Sequence, residues 1–321
     1  MLYGENEGAL GYLVGEENHG IEYMFTMMNN ARLAVGLEGV AIAERAYQRA
    51  RAFAADRTQG RGTDRDNKEA VAIIQHPDVK RMLLSMRSQT EAVRALAYWV
   101  SSRLDLAHRS TDPAEAKKAQ SFVDLLTPVV KAWSTDVGVE VADTGVQIHG
   151  GMGFIEETGA AQHLRDARIA PIYEGTNGIQ ALDLAGRKIA REGGETMHTL
   201  IAEMHASMAE MDSSHARLST AIDALERTTD WIVSNFEETP VTALAGSVTY
   251  LRLSGITVGG WLMVRLFEAS KRNRDENPLL AERRQASVSF YARHILSQAP
   301  GLADAVLDGS SVIAETRIEA L

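Results

Sequence analysis

Apolar residues recur every three or four positions along most of this chain, which is the period of an amphipathic helix. The first run of this kind comprises Ile21, Met24, Phe25, Met28, Leu33, Leu37, Val40 and Ala41. It predicts a helix from about residue 20 to about residue 56, which stops before the glycines at positions 60 and 62. A polar loop over 57–69 is expected to follow this helix.

Two more long helices are predicted next. The second follows Pro77, since proline is favourable in the first turn of a helix, and the third follows the break at Thr111-Asp112-Pro113. Their apolar positions are Val79, Met82, Leu83, Met86, Val93, Leu96 and Val100, then Phe122, Leu125, Leu126, Val129, Val130, Trp133, Val137 and Val141. The glycine-rich segment QIHGGMGF, residues 147–154, is expected to end the third helix.

The remaining segments are predicted to be shorter. They are a short helix over roughly 158–168, a loop over 169–175, a helix from Thr176 to about Arg191, three or four helices over roughly 195–237, 241–273 and 280–300, and a short tail. The pair Gly193-Gly194 marks the best domain boundary, because two adjacent glycines interrupt a helical pattern.

The first 19 residues differ from the rest of the chain. Leu10, Tyr12 and Val14 alternate with smaller residues between glycines, which is the pattern of a short strand, and no other strand-like segment follows. The predicted fold class is therefore mainly α, with a short β remnant at the amino terminus and two consecutive helical bundles of near-antiparallel helices. The predicted domains cover 1–19, 20–192 and 195–321.

Composition supports this reading and excludes several classes of protein. A length of 321 residues suggests about two domains, and 7 prolines with 6% aromatic residues favour long helices. A formal net charge of −10 argues against nucleic-acid binding, and without a Lys/Arg block or a run of about 20 apolar residues no membrane association is expected. The absence of cysteine excludes disulfides and thiolate sites and fits a cytoplasmic protein.

The segment IAPIYEGTNGIQ, residues 169–180, is the first candidate for chemistry. Glu174 sits there between a loop and a helix start, and a carboxylate in an apolar cavity gains a raised pKa and becomes a usable general base. The alternative is an ordinary acidic residue near a helix amino terminus, where the helix dipole stabilises it. The residues alone leave both interpretations open.

Two other features also have alternative interpretations. The glycines of QIHGGMGF would let the backbone approach a phosphate closely, or they form a plain carboxyl-terminal cap; the spacing is not that of a dinucleotide-binding GxGxxG loop. Arginines in NNARLAVG and ADRTQGR would meet phosphates, or they lie solvated on a helix face. The nine histidines are scattered and form no HExxH motif, so no metal site is predicted.

Four motifs together resemble the acyl-CoA dehydrogenase family. YEGTNGIQ resembles the segment that carries the family's catalytic glutamate, and QIHGGMGF resembles its glycine motif about 25 residues upstream. MMNNARLAVG followed by DRTQG is similar to the start of the family's carboxyl-terminal helical domain, and GEENHGIEYMF to the linker that leaves its middle β-domain. The region from about 195 resembles the additional helical domain of the longer members.

This resemblance implies FAD-dependent oxidation of an acyl-CoA to a trans-2-enoyl-CoA, as in fatty-acid β-oxidation. Glu174 would be the catalytic base and Gly175 would lie against the thioester. The remaining implied site residues are Asn29 and Arg32 for acyl-CoA, Arg57, Thr58 and Gln59 for FAD, Gln147, Gly150 and Gly151 for FAD held mainly by a neighbouring subunit, and Thr176, Asn177 and Gly178 for FAD of the same site. A homodimer or a dimer of dimers is therefore implied, with an electron-transfer flavoprotein as a possible acceptor.

The sequence also departs from the family. Asn29 stands where many members carry Asp, and Gln59-Gly60 replaces the usual aromatic residue after the flavin arginine. The family's amino-terminal helical domain and most of its middle β-domain have no counterpart in these 321 residues, so the chain is expected to supply the catalytic-base half of a site. The alternative is a non-catalytic helical module that forms oligomers and holds no flavin.

Overall fold

The computed structural model describes residues 4–62, 69–209, 215–272 and 274–321, and all of Thr26 except its side chain. The described part is mainly helical, as predicted. Four pieces of the predictions lie outside the described residues: 1–3 of the expected β remnant, 63–68 of the expected loop, 210–214 of the expected helix 195–237, and residue 273 at the end of the expected helix 241–273. Among the residues that the structure describes, no helix has both the length and the hydropathy that a membrane-spanning helix requires.

Three long helices form the first bundle, and their predicted starts are confirmed. They are α1 (Gly20–Asp56), α2 (Pro77–Arg109) and α3 (Pro113–His149). Asp112 caps α3, since its carboxylate accepts a hydrogen bond from the Ala114 backbone N–H at 2.9 Å. Proline occupies the first position of both α2 and α3, where its missing N–H leaves no hydrogen bond unmade.

Helices α1 and α3 run parallel to each other at very short range. A Cβ atom added at Gly39 would lie 2.5 Å from the Ser134 carbonyl oxygen, so only glycine permits this approach. Further along the same pair of helices, the ring of Phe53 stacks on that of His149 with centroids 4.4 Å apart. Helix α2 runs the other way, because Gln89 meets Glu140 while Trp99 meets Phe122.

The strands differ from the prediction. In residues 4–19 there is no hydrogen-bonded strand, and Leu10, Tyr12 and Val14 are exposed, since no neighbouring segment pairs with their backbone. Two short antiparallel strands lie instead within or beside the predicted polar loop, β1 (Thr58–Arg61) and β2 (Ala70–Ala72). Local hydrogen bonding between these strands outweighs the polar composition that suggested an unstructured loop.

A series of short elements connects the two bundles. They are α4 (Gly151–Phe154), α5 (Ala160–Ala167) and α6 (Asn177–Leu182), and α6 continues through wide π-helical turns over Asp183–Ala190. Gly193 and Gly194 both have positive φ angles, 75° and 76°, and make the turn at the predicted boundary. The division into domains at this turn stays a prediction, because the buried apolar core continues across it.

The second bundle has more helices than the sequence predicts. It contains α7 (Glu195–Ala209), α8 (Ala216–Asn235), α9 (Pro240–Ala245), α10 (Ser247–Arg272), α11 (Pro278–Phe290), α12 (Ala299–Leu307) and α13 (Gly309–Glu315). The segment after residue 300, expected as a short tail, therefore contains most of α12 and all of α13. Helix α12 buries Ala299, Ala303 and Val306 against α8 and α10. Small residues at four-residue spacing carry a weak hydrophobic signal, but they allow close helix packing.

Helix α10 joins the second bundle to the first. Its residues Gly255 and Gly259 leave room for the Trp133 ring of α3, since a Cβ at either position would lie 2.5–2.6 Å from ring atoms. Trp261 of α10 makes an edge-on contact with Trp99 of α2, with centroids 5.6 Å apart. This continuous packing supports α3, the helix that also carries a buried part of the candidate site.

Candidate active site

Glu174 lies on a turn with an unusual backbone between α5 and α6. Its φ angle is 56°, in the left-handed region that non-glycine residues rarely adopt, and Gly175 follows with φ 81°. Such a conformation costs about 1–3 kcal/mol for a residue with a side chain and persists only where the surroundings enforce it. The Glu174 side chain is half-buried.

The carbonyl groups of this turn are held by two side chains. The Lys131 ammonium of α3 donates to the Gly175 carbonyl oxygen at 2.8 Å. The Gln180 amide of α6 donates to the carbonyl oxygens of Glu174 and Gly175 at 3.2 and 3.4 Å. Glycine is strongly favoured at position 175, because its φ is positive and an added Cβ would lie 2.8 Å from the Gln180 amide nitrogen.

Asn177 links the same turn to α3 through its side chain. Its amide oxygen accepts from Lys131 Nζ at 2.9 Å, and its amide nitrogen donates to Asp136 Oδ1 at 2.7 Å and to the Ala132 carbonyl oxygen at 3.0 Å. Its backbone N–H donates to the Pro171 carbonyl oxygen. The amide of Asn177, predicted from the resemblance to contact FAD, is thus occupied by contacts within the chain.

Arg32 is a further predicted residue that lies in this region. It is only 4% exposed, and its Nη1 lies 3.4 Å from Asp183 Oδ2 and 3.5 Å from Asn29 Oδ1. Asp183 also pairs with Arg187 at 2.7 Å. Within the described residues, Arg32 Nε and Gln180 Oε1 are buried and have no hydrogen-bond partner. Asn29, beside Arg32, is exposed.

Burial changes the acidity of the groups around the turn. Loss of solvent lowers the pKa of Lys131 to about 8, although the nearby Asp136 carboxylate acts in the opposite direction. Burial also raises the pKa of Asp136. The Tyr173 hydroxyl donates a short hydrogen bond to the Glu38 carboxylate, and this bond raises the pKa of Tyr173 to about 12.

We call the group formed by Asn29, Arg32, Lys131, Asp183 and residues 174–178 the Glu174 end. The structure brings together there the predicted residues Asn29, Arg32, Glu174, Gly175, Thr176, Asn177 and Gly178. Thr176 caps α6, since its hydroxyl accepts from the Ile179 N–H at 3.2 Å, and both Thr176 and Gly178 are exposed.

The other predicted residues lie at the opposite end of the α1–α3 pair, which we call the Gly150 end. It consists of Arg57, Thr58, Gln59, Gln147, Gly150 and Gly151, and all six are exposed. Gly150 has φ 60°, and a Cβ at Gly150 or Gly151 would have nothing within 4 Å. His76 Nε2 lies 2.7 Å from the Gln59 carbonyl oxygen and holds the start of β1.

The two ends are far apart within one chain. Arg32 and Arg57 are 25 positions apart along and just beyond α1, which is an uninterrupted helix. At 1.5 Å per residue this is about 37 Å. The structure therefore assembles the predicted residues into two separate groups, one that contains buried, half-buried and exposed residues and one that is wholly exposed.

Sequence reasoning missed Lys131, Asp136 and Asp183. Lys131 lies in the segment LLTPVVKAWST, where it is the one charged residue among eleven. A lone lysine within a run of otherwise buried helix positions was an available signal, because a buried ammonium requires partners. Asp183 had no comparable signal, since its partner Arg32 is 151 positions away.

Each of the two bundles matches the model of a known protein family. The family model "Acyl-CoA dehydrogenase, C-terminal domain" matches residues 18–189, and the model "Acetyl-CoA dehydrogenase C-terminal like" matches residues 199–317. The chain is 52% identical over 264 residues to 3-methylmercaptopropionyl-CoA dehydrogenase of Ruegeria pomeroyi, which covers 80% of this chain and 45% of that protein.

Two further relatives extend this comparison. The broad-specificity linear acyl-CoA dehydrogenase FadE5 of Mycobacterium tuberculosis is 30% identical over 312 residues, 90% of this chain and 51% of that one. The crystal structure of an acyl-CoA dehydrogenase complexed with FAD from Bacillus anthracis has a similar fold, with a TM-score of 0.70 and 19% identity over 95% of this chain and 52% of that one. The chain spans about half the length of the relatives that it matches.

Proposed function

The chain belongs to the acyl-CoA dehydrogenase family, and from that premise we propose that it supplies the catalytic-base half of a site that oxidises an acyl-CoA to a trans-2-enoyl-CoA. The observation that carries this proposal is the strained turn at Glu174. Its backbone is held from inside the bundle by Lys131 and Gln180, while the carboxylate itself is left half-buried and able to meet a substrate.

The Glu174 carboxylate would take a proton from the carbon next to the thioester carbonyl. A thioester α-proton is only weakly acidic, so the site must position the base and stabilise negative charge on the carbonyl oxygen. The chemistry that FAD would supply when bound is acceptance of the β-hydrogen as a hydride, so that a double bond forms between the α and β carbons. The proton remains on Glu174, and the two hydrogens removed are thereby accounted for.

Acyl-CoA would bind beside Arg32 and Asn29. The buried Arg32 side chain has an Nε atom with no partner among the described residues, and a buried donor without an acceptor favours a ligand that supplies one. Neighbouring Asn29 is exposed and could contact the same ligand. Relatives whose names state their substrates act on acyl-CoAs, which supports the same class of substrate here.

FAD would use residues at both ends of the α1–α3 pair. Thr176 and Gly178 are exposed beside Glu174, whereas Arg57, Thr58, Gln59, Gln147, Gly150 and Gly151 are exposed about 37 Å away by helix length. The open space at Gly150 and Gly151 fits close approach of a phosphate group to the backbone. Because one chain separates these groups, we propose that the Gly150 end serves the site of a second copy, in a homodimer or a dimer of dimers.

The remaining parts of the function follow the family resemblance. A role in fatty-acid β-oxidation, electron transfer to an electron-transfer flavoprotein, and a cytoplasmic location are proposed on that basis and on the lack of cysteine. About half of the length of the relatives has no counterpart here. The wall that would complete the exposed side of the Glu174 end is therefore proposed to come from residues outside these 321.

The test is oxidation of acyl-CoAs with an artificial electron acceptor, using butyryl-CoA, 3-methylmercaptopropionyl-CoA and longer linear acyl-CoAs. Glu174→Gln should reduce the rate by about 10²- to 10⁴-fold, the usual contribution of a general base. Glu238→Gln, an exposed carboxylate of the second bundle, is the matched control and should leave the rate unchanged. Equal rates in the Glu174→Gln variant and the unmodified protein would remove Glu174 from this role.

The second candidate function is a helical oligomerisation module without flavin, and the occupation of the Asn177 amide by contacts within the chain favours it. The visible absorption spectrum of the purified protein, recorded after addition of FAD and desalting, separates the two. Retained flavin absorbance supports the oxidoreductase site. A stable oligomer with a helical circular dichroism spectrum and no retained flavin supports the module.

A further inference from the structure

Lys131 is buried in a place where an apolar residue would serve the core. It is 0% exposed, and its neighbours along α3, from Val129 to Trp133, are buried as well. Transfer of an ammonium group out of water is costly unless hydrogen bonds and nearby charges compensate it. The hydrogen-bond partners of Lys131 therefore indicate the role of its buried charge.

Both hydrogen-bond acceptors of Lys131 belong to the turn that carries Glu174. They are the Gly175 carbonyl oxygen at 2.8 Å and the Asn177 amide oxygen at 2.9 Å. Asn177 is in turn held by Thr135 and Asp136, one helical turn further along α3. A single stretch of α3 thus holds the turn through hydrogen bonds to two of its residues, Gly175 and Asn177.

The turn would lack this support without the ammonium group. If Lys131 were apolar, the Gly175 carbonyl oxygen would keep only the 3.4 Å bond from Gln180. The left-handed Glu174 and Gly175 lie before α6, so no intrahelical hydrogen bonds restrain them. A backbone in this region relaxes when its surroundings no longer enforce it.

The charged groups that face Lys131 come from three elements. Asp136 lies on its own helix, Arg32 on α1, and Glu174 on the turn itself. Arg32 is already paired with Asp183. Burial lowers the pKa of Lys131 to about 8, so its charge responds to pH within a range that is accessible to experiment.

We propose that Lys131 is a positioning residue, which holds the Glu174 turn in its left-handed conformation and thereby directs the Glu174 carboxylate towards the substrate. The part of this proposal that concerns the substrate rests on the proposed function. The part that concerns the turn does not, because it depends only on contacts within this chain.

The first experiment is hydrogen–deuterium exchange of the purified chain. Lys131→Met should raise amide exchange in residues 171–182 by about tenfold or more, while exchange in α10 stays unchanged. Lys118→Met removes an exposed lysine from the same helix and is the matched control; it should change neither region. Unchanged exchange of 171–182 in Lys131→Met, with the fold intact by circular dichroism, would overturn the proposal.

A second variant covers the case in which Lys131→Met does not fold. Lys131→Gln keeps an N–H donor without the charge and should give a smaller increase in exchange, confined to 171–182. If neither variant folds, or if exchange rises equally in α10, Lys131 serves the whole bundle and the proposal is wrong.

The pH dependence gives a readout that a merely structural role would not move. After correction for the intrinsic exchange rate, protection of 171–182 in the unmodified chain should change through about pH 8, where Lys131 loses its proton. The step should be absent in Lys131→Met and Lys131→Gln. A step of the same size in both variants would assign it to another group and contradict the proposal.

The activity assay separates this inference from the proposed function. In flavin-loaded protein, Lys131→Met should lower kcat by about tenfold or more with little change in KM, because the base is misdirected while the binding groups remain. If Glu174→Gln is fully active while Lys131→Met loosens the turn, the proposed function fails and the positioning of the turn stands. If Glu174→Gln is inactive and Lys131→Met changes neither exchange nor kcat, only the inference fails.

Discussion

The two ends of the α1–α3 pair are built in opposite ways. At the Glu174 end, Lys131, Asn177 and Arg32 are bonded to groups of the same chain, and Lys131 and Arg32 are almost completely buried. At the Gly150 end the predicted residues are exposed, and the glycines face open space. The comparison indicates that residues proposed for the site also support the fold at the first end, whereas the residues proposed at the second end are free to contact a ligand or a second copy.

The largest expected effect separates turnover from flavin retention. Glu174→Gln should lower turnover by about 10²- to 10⁴-fold and leave retained flavin unchanged, because the substitution removes a base but no cofactor contact. Arg57→Ala should instead reduce retained flavin and leave the free energy of unfolding within about 0.5 kcal/mol, since Arg57 is exposed. The acyl-CoA oxidation assay measures turnover, flavin absorbance measures retained flavin, and urea unfolding measures stability in both variants. The reverse pattern would contradict the assignment of the two ends.

Glycine substitutions should sharpen the same contrast through stability. Gly175→Ala places a Cβ at φ 81° and 2.8 Å from the Gln180 amide, so it should lower the free energy of unfolding by about 1–3 kcal/mol. Gly151→Ala at the Gly150 end meets nothing within 4 Å and should change it by about 0.5 kcal/mol or less. Urea unfolding of the two variants measures these changes. Equal losses in the free energy of unfolding would show that the two ends are equally constrained.

The pH dependence of stability should also distinguish the buried end. The pKa of Lys131 is about 8 in the folded chain and ordinarily 10.5, so between these values the unfolded chain binds more protons. Stability from this group therefore rises with pH across that window, by at most about 3 kcal/mol, the full value for a group shielded from solvent. The free energy of unfolding of the unmodified chain, relative to Lys131→Met, should increase from pH 8 to pH 10.5. A flat difference would show that Lys131 is not held in a desolvated, charged state.

The smallest effect is expected at the rim of the Glu174 end. Tyr173→Phe removes the hydrogen bond to Glu38 from a tyrosine that is 37% exposed. Water can replace such a partner, so the free energy of unfolding should fall by about 0–1 kcal/mol. In urea unfolding, Tyr173→Phe should lose much less free energy of unfolding than Gly175→Ala. A larger loss would show that the constrained region includes Tyr173.

The long helices were predictable because their signals are local. The bounds of α1 were predicted as 20–56 and observed as Gly20–Asp56, and the prolines at 77 and 113 marked the starts of α2 and α3. The expected strand at residues 10–14 was wrong for the opposite reason, since alternation alone provides no pairing partner. The helices of the presumed tail were missed because alanine spacing shows burial only when a surface to cover it is known.

For the candidate site, the motif around Glu174 was recognisable from the sequence by resemblance, and its residues do lie together with Arg32. What the turn does physically was not recognisable. The left-handed φ of Glu174, the contact of Lys131 with a carbonyl 44 positions away, and the pairing of Arg32 with Asp183 depend on how α1, α3 and α6 meet. Each involves residues distant in sequence, for which no local pattern exists.

The sequence by itself determined the helical class, the limits of the long helices and the family, because periodicity, capping residues and short motifs act over a few neighbouring positions. Only the tertiary structure decided which of the predicted site residues lie together at each end of the α1–α3 pair, one group partly buried and the other exposed. The physical reason is that burial of a charge and closeness of two side chains are properties of packed helices. They arise when Gly39 lets α1 approach α3 and the core closes around Lys131.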